Sequence, residues 1–206
     1  SLVFLIDNVH ADREAFESTY APLAPEKIII QNASVYDGDG GELLETDILV
    51  DNGKIIAIGK DLPFSNEFRV IDATGKWVTP GIIDIHSHMG VYPAPGVRTS
   101  SDGNEATSPV TADVWAEHSI WVQDPQYALA LAGGVTAFHI LPGSANLIGG
   151  RGVTVKNLQR VTINSMKFPD APHSLKMACG ENPKRVYGNR GQAPSTRMGN
   201  AAGYRK

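Results

Sequence analysis

Trp77-Val-Thr-Pro-Gly-Ile-Ile-Asp-Ile-His-Ser-His-Met-Gly90 is the stretch on which the reading of this chain turns. Pro80-Gly81 is a turn signal, and Ile82 to His88 follows as a short apolar strand. Residues two apart on a strand share a face, so Asp84, His86 and His88 are expected on one side. Ile83, Ile85 and Ser87 then face the other side. Two imidazoles on one face reach a single divalent ion. Gly90 lets the chain leave tightly after the pair. A bare His-x-His also occurs as two ordinary surface or core histidines, so the weight rests on what surrounds it.

Downstream, residues 91–126 show little periodicity and are broken by Pro93, Pro95, Gly96, Gly103 and Pro109, which predicts a long loop. Trp115, His118 and Trp121 line a pocket there or simply cover the surface beneath. Asp124-Pro125 opens a helix, with Asp124 as cap, and Gly133-Gly134 closes it. The apolar run Val135–Leu141 follows as a strand, which completes one β-α-β unit and sets His139 near a strand end. Pro142–Gly152 is glycine-rich but lacks the Gly-Lys-Ser/Thr of a phosphate loop, so it reads as a surface loop that carries Arg151. An arginine fork there suits a substrate carboxylate. Val153–Lys156 and Ser165–Phe168 read as short strands. Leu175–Gly180 reads as another, presenting Glu181 at its tip, while Lys156 and Lys176 sit mid-strand.

Upstream, residues 27–76 read as β-structure. Lys27–Gln31 holds three isoleucines, and Phe68–Ala73 makes another strand. Asp51-Asn52-Gly53 between two apolar runs predicts a hairpin, with Ile55 and Ala57 on one side and Ile56 and Ile58 on the other. Residues 1–26 read as a poorly packed extension, with a short helix through Ala11–Tyr20 as the alternative.

The chain has 206 residues, 42% hydrophobic and 19% charged, which is a soluble globular composition. A net charge of −4 and the lack of a basic cluster argue against nucleic acid and anionic membranes as partners. Cys179 is the one cysteine, so no intrachain disulfide is expected. No apolar run approaches the roughly 20 residues of a membrane span, and Leu2–Ile6 is too short for a signal core. That suits the cytoplasm, or export with a signal removed.

Val78–His88 resembles the first barrel strand of the amidohydrolase superfamily. Residues 27–76 resemble the β-sandwich that precedes the barrel there, and Gly134-Val135-Thr136 resembles the second strand. Gly180–Gly188 with Pro194–Gly199 resembles the imidazolonepropionase-related subgroup. The resemblance implies an α/β fold: a partial TIM-like (β/α) barrel over residues 77–206, preceded by a small, incomplete β-sandwich over 27–76 and an extension over 1–26. A TIM barrel takes about 250 residues, so residues 77–206 suit roughly four βα units. The chain is therefore expected to belong with a C-terminal remainder, or to close by self-association.

By the same resemblance the function is metal-dependent hydrolysis of carbon–nitrogen bonds in a small-molecule amide, non-peptide or dipeptide-like. His86 and His88 would hold Zn²⁺ or a similar divalent metal, and Glu181 would bridge to a second, giving two per complete site. Lys156 and Lys176 are rival bridges, because a carboxylated lysine fills that place in some members. Asp84 would act behind a histidine or the strand, with His139 and Arg151 as further candidates to support a ligand or to contact substrate. The general-base aspartate is expected on a later strand, outside residues 1–206. The rivals are a catalytically inactive structural fragment, for the isolated chain, and a one-metal deaminase.

Overall fold

The computed structural model describes residues 16–205. Its first sheet takes β1 (Ile28–Tyr36), β2 (Glu42–Asp51), β3 (Lys54–Gly59), β4 (Arg69–Asp72) and β5 (Trp77–Val78). The order is β3-β2-β1-β4, with β5 also paired to β1. The β2–β3 hairpin forms as its turn chemistry dictates: Asn52 and Gly53 take φ of 52° and 72°, the left-handed pair that matches strand twist. One expectation fails inside that hairpin. Leu49 faces Ala57 but Val50 faces Ile55, so Ile56 is an extra residue. That bulge shifts the phase by one and sets Ile55 with Ile58, on the face of Val50 and Ile48.

Ala33, Val35, Ile48 and Ala73 form the core of this sheet, flanked by Ile30, Val50 and Val78. Among the described residues no second sheet covers it, and Ile55 stays 62% exposed. Among the described residues the sheet is a single layer.

The second sheet takes β6 (Ile82–Ser87), β7 (Val135–Ile140), β8 (Ile148–Lys156) and β9 (Ser174–Met177), in that order. β6 and β7 are parallel, linked through α1 (Gln126–Ala132). Asp124 caps that helix, its Oδ1 accepting the Gln126 N–H at 3.0 Å. Beyond β7 the expected succession of βα units gives way. β8 runs antiparallel to β7, and β9 antiparallel to β8. Residues 141–147 are too few for a parallel crossover, which needs a dozen or more. β9 therefore points the same way as β6, and both end at one mouth. Ser165–Phe168 forms no strand; only a Val155–Lys167 bridge remains.

Val91, Tyr127, Phe138, Ile140, Val153, Val155 and Met166 pack on one side of this sheet. α2 (Glu181–Gly188) and α3 (Arg197–Tyr204) follow β9. Thr196 caps α3 by accepting the Gly199 N–H. Residues 16–21 are non-helical and held, not loose. Thr19 donates to the Asn164 carbonyl at 3.0 Å and Ser18 Oγ to that of Lys167 at 2.8 Å. Lys167 itself is buried against Glu117, 2.7 Å away. The rest of the proposed Ala11–Tyr20 helix lies outside the described residues.

Candidate functional site

His86 and His88 meet at the end of β6, with ring centroids 5.4 Å apart and edge to face. The strand is irregular between Asp84 and Ser87. There Asp84 Oδ1 accepts the backbone N–H of His86 at 3.1 Å, so this carboxylate braces the strand and touches neither ring nitrogen. His88 Nδ1 lies 2.9 Å from the Leu141 carbonyl. A carbonyl only accepts, so the proton sits on Nδ1 and Nε2 keeps a free lone pair.

Across the sheet, β9 brings a third nitrogen. Lys176 Nζ is 3.2 Å from His86 Nε2 and donates to the Pro142 carbonyl at 3.1 Å. Register explains its placing. Gly150 pairs with Lys176 and Gly152 with Ser174, while His139 pairs with Thr154. These residues share one face of the sheet, and Leu175 takes the other. Lys176 is only 8% exposed, and burial pushes its amine below the ordinary lysine range. The Lys176 charge, then burial and His88, push His86 down, with Asp84 opposing.

His139 stands on the same face with both ring nitrogens engaged. Nδ1 is 2.9 Å from Thr154 Oγ1 and Nε2 is 2.7 Å from Ser174 Oγ. Burial first, then His173 and His86, lower its pKa. It is a packed, hydrogen-bonded histidine beside the pair, with no nitrogen left over.

The structure does not bring Glu181 or Arg151 to this cluster. Glu181 opens α2 and pairs with Arg185 at 2.8 Å, its side chain 64% exposed. Among the described residues no three His, Cys, Asp or Glu side chains gather into a metal-holding group. Arg151 lies within β8, not in a loop, and pairs with Leu175 on the face opposite Lys176. Its guanidinium sits over the Trp115 ring at 4.8 Å. Trp115 also meets His173 edge to face, whereas His118 packs on Phe16 and not into a pocket with it. Lys156 is the other mid-strand lysine, and its ammonium lies between the rings of Tyr20 and Phe168, 4.5 Å from each.

Lys176 is thus the candidate that the sequence placed behind Glu181, because it sits mid-strand and not at a tip. Its signal is a single lysine between Leu175 and Met177 on a short strand, facing away from both. A cavity of about 1110 Å³ lies elsewhere, between the two sheets, among Tyr20, Leu23, Ile28, Val50, Ile83 and Lys156. It holds none of the clustered side chains and reflects apolar surface left uncovered.

The donor set fits part of a metal centre. Two imidazoles stand edge to face, His88 oriented by a carbonyl and His86 in a hydrogen bond with the buried amine of Lys176. The chain's own described groups supply no anionic ligand.

No family model matches the chain. It is similar to the amidohydrolase TasK of Hapsidospora irregularis, at 38% identity over 172 residues, covering 78% of this chain and 18% of that protein. A dihydroorotase of Thermoanaerobacter sp. (strain X514) is 43% identical over 82 residues, 40% of this chain and 19% of that one. The crystal structure of an amidohydrolase from Thermotoga maritima MSB8 superposes with a TM-score of 0.80 at 45% identity. It matches 87% of this chain, which covers 46% of that chain. The chain thus spans about half the length of that structure and under one fifth of the two curated relatives. No helix among the described residues is long and apolar enough to cross a membrane.

Proposed function

We propose a function from one premise, that the chain belongs to the amidohydrolase superfamily. The protein that carries it is a metal-dependent hydrolase of carbon–nitrogen bonds in small-molecule amides, cyclic or dipeptide-like. Residues 77–206 are the opening part of its TIM-like barrel, and the sheet of residues 27–76 is one layer of its sandwich. The remainder of the protein covers the exposed faces, Ile85 at 76% and Ile55 at 62% exposure among them.

The observation that carries this reading is the convergence of His86, His88 and Lys176 at one mouth. His86 and His88 would hold a divalent metal, Zn²⁺ by preference for imidazole. Leu141 fixes the His88 ring in the tautomer that this requires. Lys176, in place of Glu181, would supply the anionic ligand for a second metal. In its neutral form, which burial favours, the Lys176 amine would attack CO₂: its lone pair forms the N–C bond as one C=O π pair moves onto oxygen, one proton leaves to solvent, and –NH₂ becomes –NH–COO⁻. That carbamate is the anion the cluster lacks. Bound there, the metals supply Lewis-acid polarisation of the amide carbonyl and a lowered pKa for water. His139, locked between Thr154 and Ser174, keeps the wall beside Lys176 in place. The general base comes from the remainder of the protein.

The test is metal content and amide turnover of the full-length protein, wild type against His86→Ala and Lys176→Met. Two metals per site, and loss of one or both in each variant together with turnover, support the reading. One metal in the wild type, unaffected by Lys176→Met, fits a one-metal deaminase instead. No metal and no turnover fit an inactive structural relative.

A further inference from the structure

His88 is reached from two directions, and the two connect. On one side its Nδ1 donates to the carbonyl of Leu141, the residue after β7. On the other, Tyr92 sets its ring edge to face against His88, with centroids 5.7 Å apart. Tyr92 follows the tight exit at Gly90, where φ is +74° and a side chain would strike Ile120 and Tyr127. From Tyr92 a chain of hydrogen bonds leads to Asn146, in the connection that begins at Leu141. The Tyr92 hydroxyl donates to Asn104 Oδ1 at 2.7 Å, and Asn104 Nδ2 donates to Asn146 Oδ1 at 3.3 Å. Asn146 is 1% exposed and belongs to the 141–147 connection that begins at Leu141. Its amide nitrogen donates to the carbonyls of Glu105 and Ser108, at 2.6 and 2.8 Å, and to Thr111 Oγ1 at 3.2 Å.

Two glycines leave the room this chain needs. A Cβ on Gly103 would sit 2.2 Å from Tyr92 Cζ, and one on Gly143 would sit 2.1 Å from Asn104 Oδ1. The same two glycines are joined by a 2.7 Å backbone hydrogen bond. Pro142, beside Gly143, is the carbonyl that receives Lys176. One short connection therefore carries the acceptors of both His88 and Lys176, and Asn146 ties it to the loop that holds Tyr92.

We propose that Tyr92, Asn104 and Asn146 form a closing bracket that positions His88, and through the 141–147 connection Lys176, for metal binding. Tyr92 is a positioning residue: it sets the imidazole of His88 and the carbonyl that fixes its tautomer. The proposal rests on the metal-hydrolase reading for its purpose, but its geometry is independent of it. Lone-pair direction governs ligand affinity, and groups that orient a ligating histidine change affinity by about 10- to 100-fold when removed.

The experiment follows two readouts in the purified protein. Side-chain ¹⁵N NMR of the metal-free form reports the His88 tautomer, and calorimetry with Zn²⁺ reports affinity. Wild type is expected to hold one tautomer, with the proton on Nδ1. Tyr92→Phe keeps the ring and loses the hydroxyl; it is expected to mix the tautomers and to weaken Zn²⁺ binding about tenfold. Thr46→Val removes a buried hydroxyl of the first sheet, one that donates to the Leu44 carbonyl. It is expected to lower Tm and leave both readouts unchanged. If wild type binds Zn²⁺ and Tyr92→Phe leaves either readout at the wild-type value, the bracket is wrong and the metal reading stands. If wild type binds no Zn²⁺, the metal reading falls and the tautomer alone decides the bracket.

Discussion

The ends of β6 and β9 lie at the same mouth of the same sheet, yet they present their chemistry differently. β6 delivers His86 and His88 where the strand runs out, as a short apolar strand with alternating histidines suggests. β9 delivers Lys176 from within the strand, while its apparent tip residue, Glu181, opens a helix and pairs with Arg185 in solvent. A residue's position along a strand is thus a weaker guide than its face. Lys176 shares the face of Ser174, Thr154 and His139, and that face is set by pairing with β8, not by distance from the strand end.

The contrast is broken or sharpened most directly by exchanging the two candidates for the bridge. Lys176→Met is expected to cost at least about 100-fold in kcat/KM of the full-length protein, more than the loss of an orienting group. Glu181→Gln should stay within about threefold, since an exposed ion pair contributes little. If Glu181→Gln is the damaging change, the tip reading returns and Lys176 is only structural.

A second effect follows from the shared face. His139 is held neutral chiefly by burial, so its folded pKa lies below the unfolded value of about 6.5. The unfolded chain then binds the proton more tightly. Its contribution to stability is fully present above about 6.5 and is lost as pH falls toward the lowered folded pKa. Urea midpoints of the metal-free protein at pH 7.5 and 5.5 should differ more for wild type than for His139→Gln. Equal differences would mean that His139 is not the group responsible.

Smaller still is Ser174→Ala, which takes away one partner of His139 and should cost about 1 kcal/mol by denaturant titration. A loss near zero would place the His139 ring free to rotate, which the face argument does not allow. Least of all is Glu181→Gln on stability, about 0.3 to 0.5 kcal/mol and fading in salt, as for any i,i+4 pair on a helix surface. A larger loss would place Glu181 in a role the exposed pair does not describe.

Much of the architecture was legible because it is local. Asn52-Gly53 allows the left-handed turn, Asp124 caps α1, and Thr196 caps α3, each through contacts a few residues long. The β6-α1-β7 unit follows from the same kind of signal. The β3 bulge at Ile56 was not legible, because either phase leaves isoleucines on both faces. Nor was the turn back of β8. Residues 142–152 carry the glycines of a loop, and only pairing with β7 and β9 shows that 148–152 are strand.

For this protein the sequence by itself determined the histidine pair, its superfamily resemblance and the short-range turns and caps, because each depends on backbone chemistry within a few residues. Only the tertiary structure decided which lysine or glutamate joins that pair, which way Arg151 faces, and how Tyr92 is tied to the connection that begins at Leu141. Those depend on strand register and on hydrogen bonds between residues far apart in the chain. A shift of one residue in pairing turns every side chain to the other face, and that shift is set by the neighbouring strand.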